Sequence, residues 1–186
     1  MDIILFGIQG SGKGTQAQIL AKKYGFRIFE TGAELRKIRA EKSELGQKVR
    51  EIIDRGDLVP NEIVMKIVEH FLENIAPDEK VLFDGIPRSM PQKETFDALL
   101  KAKNRVARGF FLAVPRETAI ARMRGRGRAD DTPEVIEKRL SNYESETLPV
   151  IKKYQSENKL TEIDGEKSID EVAAALAAAV EKYFKN

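Results

Sequence analysis

The chain has no cysteine and a single histidine, His70, among its 186 residues. These absences exclude a disulfide framework, a thiolate or histidine-rich metal centre and a cysteine nucleophile. Long hydrophobic runs are missing too: the longest, VAAALAAAV at 172–180, has nine residues, against the ~20 that a spanning helix needs. No basic leader precedes Asp2, so the start of the chain does not read as a secretion signal. A soluble cytoplasmic protein with no membrane partner is the expectation. Nor is there an excess of either charge, since 32 basic and 30 acidic side chains leave a net +2. That balance speaks against a general nucleic-acid binder and leaves local clusters to carry function.

The length suits one domain with small inserts and a substantial core. Short apolar runs, IILFG (3–7), RIFE (27–30), KVLFDG (80–85), GFFLAV (109–114) and KLTEID (159–164), read as strands. Helical patterns lie between them at about 13–24, 31–42, 45–54, 60–75, 91–101, 115–123, 133–155 and 168–184. Such alternation predicts an α/β fold, a mainly parallel sheet covered on both faces, with a ligand crevice at the carboxyl ends of its strands. Thr31 with Glu34 and Ser168 with Glu171 have capping-box spacing, and Pro91 and Pro133 sit where first helical turns begin. Two stretches break the rhythm and read as inserts over the crevice: 30–59, ending in RGDLVP, and RMRGRGRADDT at 122–132, a polar segment between two helices.

GIQGSGKGT at 7–15 holds the spacing Gly7-x4-Gly12-Lys13 between a strand and a helix, the pattern of a phosphate-binding loop. Glycines at 7, 10, 12 and 14 let successive amides converge on one anion, the helix start adds its positive end, and Lys13 supplies a point charge. A plain glycine turn would explain the composition but not the whole strand–loop–helix context. Gly14 stands where a serine or threonine commonly follows the lysine, with Thr15 one place later, which removes the usual hydroxyl for magnesium. Asp84 ends the apolar run VLFD, where a carboxylate can orient waters on Mg²⁺. A turn cap is its structural alternative.

GSGKGTQA at 10–17, ETGAELR at 30–36 and LFDGIPRSMPQ at 82–92 together resemble the adenylate kinases, in order and spacing over essentially the whole chain. The similarity is to short-lid members. It implies a P-loop NTPase fold: a five-stranded parallel sheet with helices on both faces. The core would be 1–29, 60–125 and 137–186, the monophosphate-binding insert 30–59 and the short lid 126–136. It further implies a monomer that moves the γ-phosphate of MgATP reversibly to AMP, giving two ADP, with Mg²⁺ held by phosphates and water and no structural zinc. Gln9 in place of proline, Ile86 in place of phenylalanine and Ala33 in place of aspartate depart from the family pattern.

Carried over by position, Gly10, Ser11, Gly12, Lys13, Gly14 and Thr15 would hold the ATP phosphates, with Arg122, Arg126 and the backbone of Lys167 completing the donor site. Thr31, Gly32, Arg36, Asp57, Leu58 and Val59 would hold AMP, joined by Gly85, Ile86, Pro87, Arg88 and Gln92, with Arg88 on its phosphate and Gln92 on the adenine edge. Lys13, Arg88, Arg122, Arg126, Arg128 and Arg139 would act in catalysis, Arg128 and Arg139 also reaching the acceptor. Thr31 and Gln92 favour AMP over UMP or CMP, since a pocket built to hydrogen-bond one base rejects another. Simpler readings stand beside these: Thr31 as a plain cap, Arg36 as solvated surface, and the DGEK turn at 164–167 as a mere strand-to-helix link. The arginine cluster alone would also suit a polyanion such as RNA. However, no aromatic interleaves it, and Asp130 and Asp131 follow at once. Arg124 is out of step with the family and reads as solvated, while His70, on a helix face, reads as structural or solvated.

Overall fold

The computed structural model of the chain describes residues 1–128 and 131–185. Five strands form one all-parallel sheet in the order β2-β3-β1-β4-β5: β1 (Asp2–Phe6), β2 (Arg27–Glu30), β3 (Val81–Asp84), β4 (Ala107–Ala113) and β5 (Leu160–Asp164). β1 lies at the centre, and the chain leaves it first toward β2 and β3 and later crosses to β4. A crevice therefore opens at the carboxyl ends of β1 and its neighbours, as in other open parallel sheets.

The period of two along β1 divides the core between the two faces. Ile3 and Leu5 pack with Leu20 of α1 (Lys13–Tyr24) and with Val172, Leu176 and Val180 of α9 (Ile169–Phe184). Ile4 and Phe6 face the opposite way, into a cluster closed by the helices α4 (Asn61–Glu73), α5 (Met90–Ala102), α6 (Arg116–Gly125), α7 (Pro133–Asn142) and α8 (Leu148–Ser156). Within that cluster Phe83 meets Phe96 edge-on, with ring centroids 4.9 Å apart, a favoured aromatic geometry. α2 (Thr31–Ala40) and α3 (Glu44–Asp54) pack on each other beyond the end of β2. Gly46 is needed at their contact, because a Cβ there would lie 2.5 Å from the Glu41 carbonyl oxygen.

Three sequence expectations are corrected. The pattern at 133–155 is not one helix: a π-helical turn at Tyr143–Thr147 separates α7 from α8. The helix expected to end at 123 runs through Gly125, so Arg124 as well as Arg122 stands on the last turn of α6. Of the two capping boxes, Ser168–Glu171 forms in full, but Thr31–Glu34 does not. α2 starts at Thr31 itself, with Glu30 at the cap position and no side-chain cap, while Glu34 pairs with Lys37 at 2.7 Å. Asp130, weighed with Asp131 in the arginine segment, lies outside the described residues.

Candidate active site

The carboxyl ends of the central strands open into a crevice of about 970 Å³, within the size of sites that enclose sizeable ligands. The phosphate-loop pattern forms its floor. Gly12 caps α1 at φ 94°, a left-handed conformation that costs glycine little. The first turn of α1 then presents Gly14 and Thr15 at the mouth. Lys13 turns inward, donating to the carbonyl oxygens of Gly7 (2.8 Å) and Ile8 (3.0 Å) and to Ser11 Oγ (3.4 Å). Burial lowers its ammonium to about 8, with Asp84 opposing the shift and Arg88 and Arg126 adding to it.

Asp84 ends β3, in register with Glu30 at the end of β2 and with Leu5 of β1. It is buried, and burial raises its carboxyl above the usual range, with Lys13 pulling the other way. A cation on its solvent side would favour the ionised form. A single carboxylate beside bare loop amides fits a magnesium ion that keeps water and phosphate ligands. Among the described residues no cluster of three or more His, Cys, Asp or Glu could hold a metal. A carboxylate–histidine metal cage is therefore not present there.

Across the crevice, Arg88 follows β3. Its Nε donates to the Gly85 carbonyl at 2.8 Å, its amide donates to Gln92 Oε1 at 2.9 Å, and its own carbonyl accepts from Thr147 Oγ1 at 2.9 Å. Gly85, at φ 81°, leaves room for this: a Cβ there would sit 2.8 Å from an Arg88 guanidinium nitrogen. Burial disfavours the charge on Arg88, as does Arg139, while Asp84 supports it. Gln92 is itself buried. Because its Oε1 serves the Arg88 amide, its NH₂ group remains to meet a ligand.

Arg36 is held by Glu30 at 2.8 Å, so it is tethered at the crevice and is not free surface. Thr31, Gly32 and the segment Asp57–Leu58–Val59 line the same end.

Arg122, Arg126 and Arg128 of the arginine segment line the same crevice. Asp131, only 4% exposed in its side chain, accepts from Arg126 Nε (2.6 Å) and Nη2 (2.9 Å) and from Arg139 Nη1 (2.6 Å). One carboxylate thus aims two arginines. Arg128 pairs with no carboxylate among the described residues, and Arg122 donates to the Gly165 carbonyl at 3.1 Å, beside Lys167. Arg124 is exposed on α6, away from the crevice.

All the residues proposed for the donor site line this crevice, as do Thr31, Gly32, Arg36, Asp57, Leu58, Val59, Arg88, Gln92, Arg128 and Arg139. Gly85, Ile86 and Pro87 do not; they border a small cavity behind it. Sequence reasoning missed Glu30 and Gln16, and it read Asp131 only as a counter-charge to RNA. A carboxylate six places from Arg36, or five from Arg126, was the only available signal for Glu30 or Asp131. Among the described residues, three of the five buried side-chain oxygens without a hydrogen-bond partner, Gln9 Oε1, Gln16 Oε1 and Thr31 Oγ1, belong to residues lining the crevice. Such concentration of unpaired polar groups marks a place built for a ligand.

Comparison with known proteins agrees with this geometry. The family model described as Adenylate kinase matches residues 5–159. The chain is 42% identical over 189 residues to an adenylate kinase of Thermosynechococcus vestitus, covering 97% of each chain. It is 40% identical over 185 residues to one of Caulobacter sp. (strain K31), covering 97% of this chain and 98% of the other. A more distant relative, from Porphyromonas gingivalis, is 36% identical over 190 residues and matches all of this chain. With a matched family model over most of its length and relatives aligned nearly end to end, the chain belongs to the adenylate kinase family.

Proposed function

We propose that this protein transfers the γ-phosphoryl group of MgATP to AMP, reversibly, giving two ADP. One observation carries the reading: the phosphate loop, the Arg36 and Arg88 end with its unpaired Thr31 hydroxyl, and the further arginines Arg122, Arg126, Arg128 and Arg139 all line one crevice. A protein that only held a nucleotide would have no use for the second of these.

On the donor side, the amides of Gly10 to Thr15 take the phosphates, and Lys13 exchanges its loop carbonyls for phosphate oxygens. Arg122 and Arg126 add charge, and the backbone at Lys167 meets the base. On the acceptor side, Thr31 and the Gln92 NH₂ group meet the AMP base, lined by Leu58 and Val59. Arg36 and Arg88 hold its phosphate through planar donor forks. An AMP phosphate oxygen attacks the γ-phosphorus as the bond to the β-phosphate oxygen breaks, and ADP departs. The attacking oxygen is already anionic, so no side chain need remove a proton. Charge on the equatorial oxygens is met by Lys13, Arg88, Arg126, Arg128 and Arg139. One well-placed arginine is worth ~10³ in rate in such reactions. Asp84 would orient the waters of a Mg²⁺ ion brought with ATP, which would supply charge neutralisation at the phosphates.

In this reading, 30–59 is the acceptor insert, 126–136 the lid and the remainder the core. Closure of the arginine segment over both nucleotides keeps water from the γ-phosphate. The same reading carries a monomer working in the cytoplasm, and sedimentation tests the first part.

The test is ADP formation from MgATP with AMP, GMP, UMP and CMP in turn, for wild type and Arg88→Ala. Turnover with AMP that collapses in the variant supports the assignment. Preference for UMP or CMP would overturn the roles of Thr31 and Gln92, and ATP binding without transfer to any monophosphate would overturn the kinase reading.

A further inference from the structure

Gln9 and Ile86, two positions at which the chain departs from the family pattern, border one small cavity of about 30 Å³ behind the phosphate loop. Lys13, Arg88, Tyr143 and Thr147 also line it. Gln9 borders the main crevice as well. It shares both linings with Lys13 and Arg88, the cations assigned above to the donor and acceptor phosphates.

The Oε1 atom of Gln9 is buried and has no hydrogen-bond partner. The loop does not use this side chain for its own geometry. Its turn is closed by the Ser11 amide on the Ile8 carbonyl at 3.0 Å and by Lys13 on the carbonyls of Gly7 and Ile8. An apolar residue would fill the same space without burying an unpaired amide. A carboxamide whose oxygen is left unpaired, in a lining shared with two cations, is available to a ligand. Its oxygen accepts from a cation while its NH₂ group donates to an anion.

We propose that Gln9 contacts the transferring phosphoryl group, Nε2 donating to a phosphoryl oxygen while Oε1 accepts from Lys13 or Arg88. The proposal rests on the phosphotransfer reading and adds to it a neutral side-chain donor beside the cations and loop amides already assigned there. A neutral donor stabilises the developing charge without adding to the repulsion among buried arginines. Ile86 makes the arrangement possible, because a phenylalanine ring at that position would fill the cavity and compete with the Gln9 side chain.

The experiment is steady-state ADP formation and unliganded thermal melting for wild type, Gln9→Met and Gln9→Ala. Gln9→Met keeps bulk and flexibility but has no donor. Both variants are expected to lose about tenfold in kcat, the effect of one hydrogen bond to a charged group. KM for ATP and for AMP should stay within about twofold, with melting temperature at or above wild type, because an unpaired amide has gone. A kcat within twofold of wild type in Gln9→Met would overturn the contact. So would a loss of kcat that comes with lower melting temperature and raised KM for both substrates, the mark of a packing role. Ile86→Phe should lower kcat in the wild-type background but not further in Gln9→Ala, since the two act through one contact; additive losses would overturn the link. If the wild type itself formed no ADP, the phosphotransfer reading would fall and this contact with it. Wild-type turnover with an unaffected Gln9→Met removes the contact alone.

Discussion

Lys13 donates its ammonium to the carbonyl oxygen of Gly7 at 2.8 Å, so the cation proposed to meet phosphate is held by the loop's own backbone. In the proposed reaction, phosphate draws it away from this bond and from the Ile8 carbonyl. The lysine is thus kept ready, without a carboxylate partner in hydrogen-bond contact that a nucleotide would have to displace.

That geometry predicts a pH dependence. Burial lowers Lys13 from 10.5 to about 8, whereas bound polyphosphate favours the ammonium and raises it again. Binding above pH 8 must therefore take up a proton. MgATP affinity should be flat below that value and fall about tenfold per pH unit above it. Calorimetry in buffers of different ionisation enthalpy reads the uptake directly, and its absence at pH 9 would refute the assignment. For folding the sign is opposite. Between about 8 and 10.5 the unfolded chain binds more protons than the folded one, so the Lys13 contribution to stability improves as pH rises.

Thr31 Oγ1 is buried and unpaired, so Thr31→Val should leave thermal stability unchanged or slightly raised. KM for AMP should rise about tenfold or more while KM for ATP holds, since only the acceptor pocket loses a polar contact. An equal rise for both substrates would count against the placement of AMP at this end.

Asp131 brackets Arg126 and Arg139. Asp131→Asn keeps the shape but has a single acceptor oxygen and no charge. We expect kcat to fall about 10²-fold through misplaced arginines, with KM for each nucleotide changed far less. Unaltered kcat would show that the arginines find their positions without the bracket.

Asp84→Asn should raise the Mg²⁺ concentration needed for half-maximal ADP formation, and chelation should abolish activity in both forms. Because burial raises the Asp84 carboxyl, it gains its proton before ordinary carboxylates do as pH falls. The acid loss of wild-type activity should therefore be missing or displaced in Asp84→Asn; an identical acid limb in both would assign it elsewhere.

At the opposite end of the sheet Asp2, 1% exposed, pairs with Arg105 at 2.7 Å and accepts from the Val81 amide. Removing one partner leaves a buried charge alone, so Asp2→Asn should destabilise the fold by about 3–5 kcal/mol. Chemical denaturation measures this, and kcat at low temperature should be untouched because the pair lies far from the crevice.

The short-range order of the protein was legible in its residues. Period-two and period-3.6 hydrophobic patterns placed every strand and most helices to within a few residues. The glycine spacing located the phosphate loop because its chemistry depends on consecutive backbone. Arg36, Arg88 and the arginines at 122–128 could be named because they lie in contiguous motifs. Ser168 could be named as a cap because its partner is three residues away.

What depended on distant chain could not be read that way. The 133–155 pattern is continuous in hydrophobicity, yet a π-helical turn interrupts it where Thr147 reaches the Arg88 carbonyl. Thr31 and Glu34 have the spacing of a cap, but α2 begins one residue early and leaves the threonine hydroxyl free for the crevice. Glycine at 85 is written in the sequence, while its purpose, room for the Arg88 guanidinium, is visible only in the folded chain. Sequence by itself determined the elements, the loop and the charges available, because those follow from neighbours along the chain. Tertiary structure alone decided which oxygens stay unpaired and which carboxylate aims which arginine, because burial and pairing are set by residues that meet only when the sheet has formed.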